Sequence, residues 1–220
     1  MSSDQTGSIS SSTWPPSDGI TTIVVPRKSA IFTIHGSTHI AAPASLVLQI
    51  VRNVAGYPKW NTFCPRVTIQ SQPQGVVPAE NHLLHKDTRF TFHVVMDSSK
   101  PSKNMDAQQR VTDLSTPEEP SDYVARENLP AEDTSFVRDS TKVYRISWTT
   151  AGGFASRGLK TERFHDIIDL GEQGCEVRTW ESQGGILARA VKYYYKDLLM
   201  EKFQLWCDEL KAEAEKVNKD

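Results

Sequence analysis

Three carboxylates in the last third of the chain, Glu162, Asp166 and Glu181, have the spacing to act together. They lie in two apolar-rich stretches, residues 159–170 and 175–183, joined by Gly171-Glu-Gln-Gly174, a short loop with glycine at both ends that suits a β-hairpin. If Leu170 faces Cys175, then Ile168 faces Val177, Asp166 faces Thr179 and Phe164 faces Glu181. Strand alternation places all of these on one face, with Glu162 two residues before Phe164. The apolar members mark that face as concave. The other face carries Arg163, His165, Ile167, Asp169, Glu176, Arg178 and Trp180, a mixture that suits solvent. A register slip of one residue inverts the whole assignment. A carboxyl group desolvated in an apolar cavity has a raised pKa and serves as general acid or base near neutral pH. The structural alternative has Glu162 and Glu181 at the open end of the sheet, paired with a basic side chain or solvated.

Aromatic side chains supply walls for such a cavity: Trp60, Phe63, Phe92, Tyr144, Trp148, Tyr194, Tyr195 and Trp206, each of which also serves as ordinary core. A buried Tyr194 or Tyr195 needs a partner for its hydroxyl, which would give the cavity a polar end. Lys202 falls inside the apolar arc of the last helix. It reads either as a pocket amine with a depressed pKa, fit for imine chemistry, or as a lysine that buries its stem and snorkels its ammonium outward.

The elements that position these residues follow from periodicity. Strands are predicted over residues 31–40, 64–70, 89–96, 108–114, 142–149, 159–170 and 175–183. Pro43 opens a short helix in which Leu46, Val47, Ile50, Val51 and Val54 recur at helical spacing. After Gly184-Gly185 one long helix is expected over 187–210, with Leu187, Val191, Tyr194, Tyr195, Leu198, Leu199, Phe203, Leu205, Trp206 and Leu210 on a single broad arc. Residues 1–29, rich in Ser, Thr and Pro, are expected to be a disordered tail, and 30–215 a single domain with no second hydrophobic core. Residues 115–140 are rich in Asp and Glu and form either a lid or a disordered insertion. The composition favours disorder and a small contribution to stability.

The totals exclude several classes. A net charge of -2 in 220 residues gives no general attraction to nucleic acid. No apolar run reaches the roughly 20 residues of a membrane span, and no secretory leader is evident. Asp4 and the lack of arginine before Arg27 are unlike a mitochondrial transit peptide. Cys64, Cys175 and Cys207 lack zinc-site spacing and read as buried, reduced thiols, so the cytoplasm is the expected compartment. No phosphate loop, nucleophile elbow or zinc-helix motif occurs, and His35 and His39 would stand about 13 Å apart along a strand. No cofactor and no metal are expected.

Ile40-Ala-Ala-Pro43-Ala, Tyr57-Pro58-Lys59-Trp60-Asn61, the hairpin from Thr161 to Glu181 and the closing helix together resemble the START-like superfamily, also called SRPBCC or polyketide-cyclase-like. The chain looks most like fungal members described as polyketide cyclase or dehydrase-like. The resemblance implies an α+β helix-grip fold, a curved antiparallel sheet wrapped around a long C-terminal helix. It also implies a small hydrophobic, aromatic or polyketide-like ligand held between sheet and helix, and the residue pattern of this chain offers Trp60, Phe63, Phe92, Tyr144, Trp148, Phe164, Thr179, Tyr194, Tyr195 and Lys202 to line it. Fold alone does not choose among the functions such a domain carries. A carrier or sensor, a cofactor-free cyclase or isomerase using Glu181, Glu162 or Asp166, and an adaptor whose acidic insertion meets a protein partner all remain open.

Overall fold

The computed structural model describes residues 14–97, 99, 100, 104–125, 127, 129, 133–153 and 155–219. Alternating apolar and polar residues build seven strands: β1 (Phe32–Ile40), β2 (Arg66–Ser71), β3 (Arg89–Val94), β4 (Met105–Ser115), β5 (Val143–Thr150), β6 (Lys160–Asp169) and β7 (Cys175–Gly184). They form one antiparallel sheet in the order β1-β7-β6-β5-β4-β3-β2. Between β1 and β2 run α1 (Ala44–Arg52) and α2 (Tyr57–Trp60), and α3 (Ile186–Val217) closes the chain. This is the α+β helix-grip arrangement.

Helix α1 buries Ala44, Val47, Leu48 and Val51, the i, i+3, i+4, i+7 stripe of an amphipathic helix. Tyr57 at the start of α2 is fully buried, and its hydroxyl donates to the Val51 carbonyl at 2.8 Å, which ties α2 back to α1. The C-terminal half of α3 buries Phe203, Trp206, Cys207, Leu210 and Ala214 against β1 and β7. Gly36 in β1 permits that approach, because a Cβ there would lie 3.1 Å from the Phe203 carbonyl oxygen and 3.2 Å from Cys207 Sγ.

The β6–β7 hairpin departs from the expected pairing. Its loop takes in Leu170 as well as the 3-10 turn Gly171–Gln173, and closes with Leu170 N–H donating to the Gly174 carbonyl at 2.9 Å. Gly174 sits at φ 86°, where a Cβ would strike the Ile40 carbonyl oxygen. The last strand pair is therefore Asp169 with Cys175, followed by Ile167 with Val177, His165 with Thr179 and Arg163 with Glu181. One extra loop residue shifts the register by one and exchanges the faces of β6. Arg163 and His165, expected in solvent, join Thr179 and Glu181 on the side of α3. Glu162, Phe164 and Asp166, expected inside, occupy the opposite side with Trp180.

That opposite side is covered as well. Ile20, Leu129, Phe136, Phe164 and Trp180 form a second buried apolar cluster, with Trp14, Ile23, Tyr123 and Val124 packed at its edge. Two expectations are corrected by it. Residues 14–29 are not a free tail: Trp180 Nε1 donates to the Thr21 carbonyl at 3.0 Å, and Thr21 N–H donates to Ser135 Oγ at 3.1 Å. The described part of 115–140 is a packed cover in which Phe136 is 3% exposed. Residues 1–13 and the remainder of the insertion lie outside the described residues. A sheet buried on both faces explains why every residue of β6 from Thr161 to Ile168 is buried.

Candidate functional site

The interior between sheet and α3 is built from inward positions of β5, β6 and β7 facing the aromatic residues of α3. Arg163 projects from β6 into this space and is 5% exposed. Its guanidinium lies 3.8 Å from the Phe203 ring centroid, 4.9 Å from Trp206 and 6.0 Å from Trp148. Arg163 Nε donates to Thr179 Oγ1 at 3.1 Å, and buried Nη2 has no hydrogen-bond partner. Glu181, its cross-strand neighbour, accepts from Gln183 Nε2 at 2.5 Å. Burial raises the Glu181 carboxyl above the usual range, opposed by Arg163 and by the Gln183 hydrogen bond.

His165 lies two residues further along β6, between the indoles of Trp148 at 4.4 Å and Trp206 at 4.6 Å. Burial and the neighbouring Arg163 charge hold it well below its ordinary pKa, so the ring is uncharged at neutral pH. Neither ring nitrogen has a hydrogen-bond partner. Trp60, 5.9 Å from Trp206, also leaves its Nε1 unpaired. Phe90, Phe92 and Trp148 continue the wall in edge-to-face contacts. The space thus combines an aromatic lining, a buried cation, a neutral imidazole and a carboxyl group inclined to hold its proton.

The family model described as polyketide cyclase / dehydrase and lipid transport matches residues 40–179, more than half of the chain. The chain belongs to this family. A fungal relative, oxopyrrolidines biosynthesis cluster protein O of Penicillium oxalicum, is 32% identical over 187 residues, covering 80% of this chain and 82% of the relative. Among solved structures, a START superfamily protein from Mycobacterium smegmatis superposes with a TM-score of 0.53 at 15% identity, over 84% of this chain and 98% of that one. The Zhui aromatase/cyclase from Streptomyces sp. R1128 gives 0.53 at 13% identity, over 84% and 94%. At such identities the structural likeness speaks for the fold.

In this polyketide cyclase/dehydrase-family chain the residues singled out by sequence separate into groups. Glu181, Thr179, Trp148, Phe92, Trp60 and Phe63 belong to the α3 side of the sheet or its core. Tyr144 and Tyr195 pack half-buried against that core, and Lys202 is half-buried on α3. Tyr194 is 71% exposed and faces away from the interior. Phe164 belongs to the second cluster, stacked 5.3 Å from Trp180.

The two remaining carboxylates also lie on the cover side. Asp166 is held by Arg145 in a buried two-point ion pair, Nε to Oδ1 at 2.5 Å and Nη2 to Oδ2 at 2.8 Å. Glu162 accepts from Val24 N–H at 2.8 Å, Tyr123 hydroxyl at 2.7 Å and Thr112 hydroxyl at 3.1 Å. Burial raises its pKa while these bonds lower it. Both are fastened to protein groups and face away from the α3 interior. Arg163 and His165 were missed because the register was displaced by one residue.

The three thiols are free and buried, each pushed up to about 12 by burial, so they stay protonated and inert. Among the described residues no group of three or more His, Cys, Asp or Glu converges as a metal would need. Surface clefts lie elsewhere. One of about 210 Å³ sits between cover and sheet by Ser121, Arg138 and Arg145, and one of about 580 Å³ by Arg66, His93 and Met105.

Proposed function

We propose that the protein binds a small, largely hydrophobic molecule, aromatic or polyketide-like and bearing a carbonyl or acidic oxygen, between the sheet and α3. The observation that carries this reading is the unpartnered Nη2 of Arg163 within an aromatic wall. A buried donor without an acceptor costs about 1–3 kcal/mol, more for a charged group, and a ligand oxygen placed there removes that cost. The unpaired nitrogens of His165 offer one donor and one acceptor beside it. Glu181 stands half-buried beside Arg163 on the same side of the sheet. The name of the Penicillium relative points the same way, since the ring carbonyl of an oxopyrrolidine is an acceptor of the kind Arg163 lacks. The buried free thiols fit work in the reducing cytoplasm.

The test uses 8-anilinonaphthalene-1-sulfonate, an aromatic anion, as probe. Arg163→Met keeps apolar contact with Phe203 and removes the donor. Probe affinity is expected to fall about tenfold or more, one charge-assisted hydrogen bond's worth, with the melting temperature maintained. Unchanged affinity in a folded variant refutes the reading.

A second reading is a cofactor-free cyclase or isomerase. It is favoured by the raised pKa of Glu181, which suits proton transfer next to a cation able to stabilise an enolate oxygen. Glu181→Gln then lowers turnover by about 100-fold or more, while probe affinity changes little.

A further inference from the structure

The first three turns of α3 carry an exposed apolar and aromatic face, in which Leu187 lies against Gly158 while Ile186, Tyr193 and Tyr194 stand out into solvent. Ile186 is 84% exposed, Tyr193 82%, Tyr194 71% and Leu187 38%, whereas Ala188 on the opposite side is fully buried. At 100° per residue Ile186, Tyr193 and Tyr194 gather on the outer arc, and Leu187 lies at its edge beside the half-buried Leu198 and Val191. Tyr193 and Tyr194 meet edge to face, 4.9 Å between centroids, so their rings make one surface.

Basic side chains flank the N-terminal turns of this face. Arg189, Lys192 and Lys196 rise from the same turns, and exposed Arg157 stands on the neighbouring turn, where Leu187 N–H donates to the Gly158 carbonyl at 2.9 Å. Among the described residues Arg189, Lys192, Lys196 and Arg157 form no ion pair. Residues 182–196 hold no negative charge, while the exposed Asp197 and Glu201 lie on the same outer arc and bound the face at its C-terminal end. Of the four cations only Lys192 has a hydrogen-bond partner among the described residues, its Nζ donating to the Ile31 carbonyl at 3.3 Å, so Arg189, Lys196 and Arg157 satisfy no structural need.

We propose that this outer face of α3 is a docking surface for an anionic membrane. Tyrosine and isoleucine side chains enter the headgroup boundary while the surrounding Arg and Lys meet acidic lipid headgroups, the division of labour of an interfacial amphipathic helix. Each basic side chain near such a surface strengthens binding about fivefold. Docking brings the half-buried inner side of the same helix turns next to the bilayer. An apolar molecule then has a short path between lipid and the interior of the fold. The proposal stands on exposure and charge alone, independently of what the interior binds.

The test is flotation of the full chain with vesicles of pure phosphatidylcholine and with vesicles containing about 30% phosphatidylserine, across about 0.05–0.5 M salt. Binding is expected on the anionic vesicles only and is expected to weaken as salt rises. Arg189→Gln with Lys196→Gln should reduce it about 25-fold, and Tyr193→Ser with Tyr194→Ser by at least tenfold, all with unchanged melting temperatures because the side chains are exposed. Lys59→Gln with Arg66→Gln, exposed basic residues elsewhere, should leave binding within about twofold. No binding to either vesicle, equal binding to both, or an equal loss in the Lys59/Arg66 variant overturns the proposal. A dimer in vesicle-free solution that Tyr193→Ser disperses, with no vesicle binding, overturns it and assigns the face to a second copy of the chain.

Discussion

Glu162 gives the sharpest separation between a structural carboxylate and a functional one. Its two oxygens gather three donors from three places in the chain: Val24 of the N-terminal segment, Tyr123 of the insertion and Thr112 at the bulge of β4. Glu162→Ala removes the shared acceptor of all three. The Thr112 hydroxyl keeps Ser147 Oγ at 2.8 Å as a partner, and Val24, on a partly exposed segment, regains water if the cover loosens. The expected cost is therefore about 2–4 kcal/mol rather than the full sum of three lost bonds. In a domain of this size that lowers the melting temperature by about 4–16 °C. Glu162→Gln retains an acceptor and most of the stability.

The pH dependence carries the sign. Burial raises the folded-state pKa of Glu162, so the folded protein holds this proton more tightly than the unfolded chain does. Its contribution is fully present below the ordinary carboxylate range and is lost as pH rises through the folded value. Glu181 and Asp113 are shifted the same way, so only the difference between wild type and Glu162→Gln isolates this group. That difference should move in favour of the Gln variant as pH rises from about 4 to 8 in thermal melts, and trypsin should cut near Arg27 faster in the Ala variant. An Ala variant with an unchanged melting temperature, or one that loses probe binding while fully folded, would refute the assignment of Glu162 to the cover.

Two further outcomes follow from the same face of the sheet. Phe136→Ala is expected to destabilise by about 3–5 kcal/mol in urea denaturation, because its ring sits 5.0 Å from Phe164, 5.3 Å from Trp180 and 5.4 Å from the Arg145 guanidinium; a change below about 1 kcal/mol would return the insertion to the status of a passive loop. Asp166→Ala leaves the Arg145 cation buried and unpaired and should cost about 3–5 kcal/mol, whereas Asp166→Leu combined with Arg145→Met should recover most of it in a double-mutant cycle.

The strands were legible because each carries an alternating core, and six of the seven begin and end within about two residues of the periodicity. β4 is the exception, starting at Met105 where the pattern first becomes clear near Gln108. α3 was legible from Gly184-Gly185 and from the arc that Phe203, Trp206 and Leu210 continue. Register was not. Nothing in Gly171-Glu-Gln-Gly174 states whether Leu170 ends the strand or opens the loop, and that one residue decides which of two adjacent side chains meets α3. The cover was hidden for a different reason. Its apolar residues, Trp14, Ile20, Leu129 and Phe136, are spread thinly among Ser, Thr, Pro and acids, so no window shows a period. The usable signal lay in the partners. Ile167 and Val177 need burial on one face of β6 and β7, Phe164 and Trp180 on the other, and a hairpin apolar on both sides requires something packed on each.

Adjacent residues of β6 now explain why the two faces differ in chemistry. Glu162 and Asp166, pointing to the cover, have the partners a buried carboxylate needs: three donors for one, a two-point arginine for the other. Arg163 and His165, one step along the same strand, are as deeply buried and less completely satisfied, Arg163 leaving Nη2 and His165 both ring nitrogens without a partner. The cover face has exceptions in Ser182 Oγ and in the Asp113 oxygens beside the bulge, so incomplete pairing is not confined to the α3 side. What distinguishes that side is the coincidence of a guanidinium nitrogen and an imidazole without partners among the same aromatic side chains. A fold stabilised only for its own sake gains little from an arginine there, since its ring contacts and its bond to Thr179 are set against a desolvation cost that an apolar side chain of similar volume avoids. On the reading proposed above, a molecule that supplies the missing oxygen accounts for it, which would make the α3 side of the sheet the working side and the cover side the one that holds the sheet in shape.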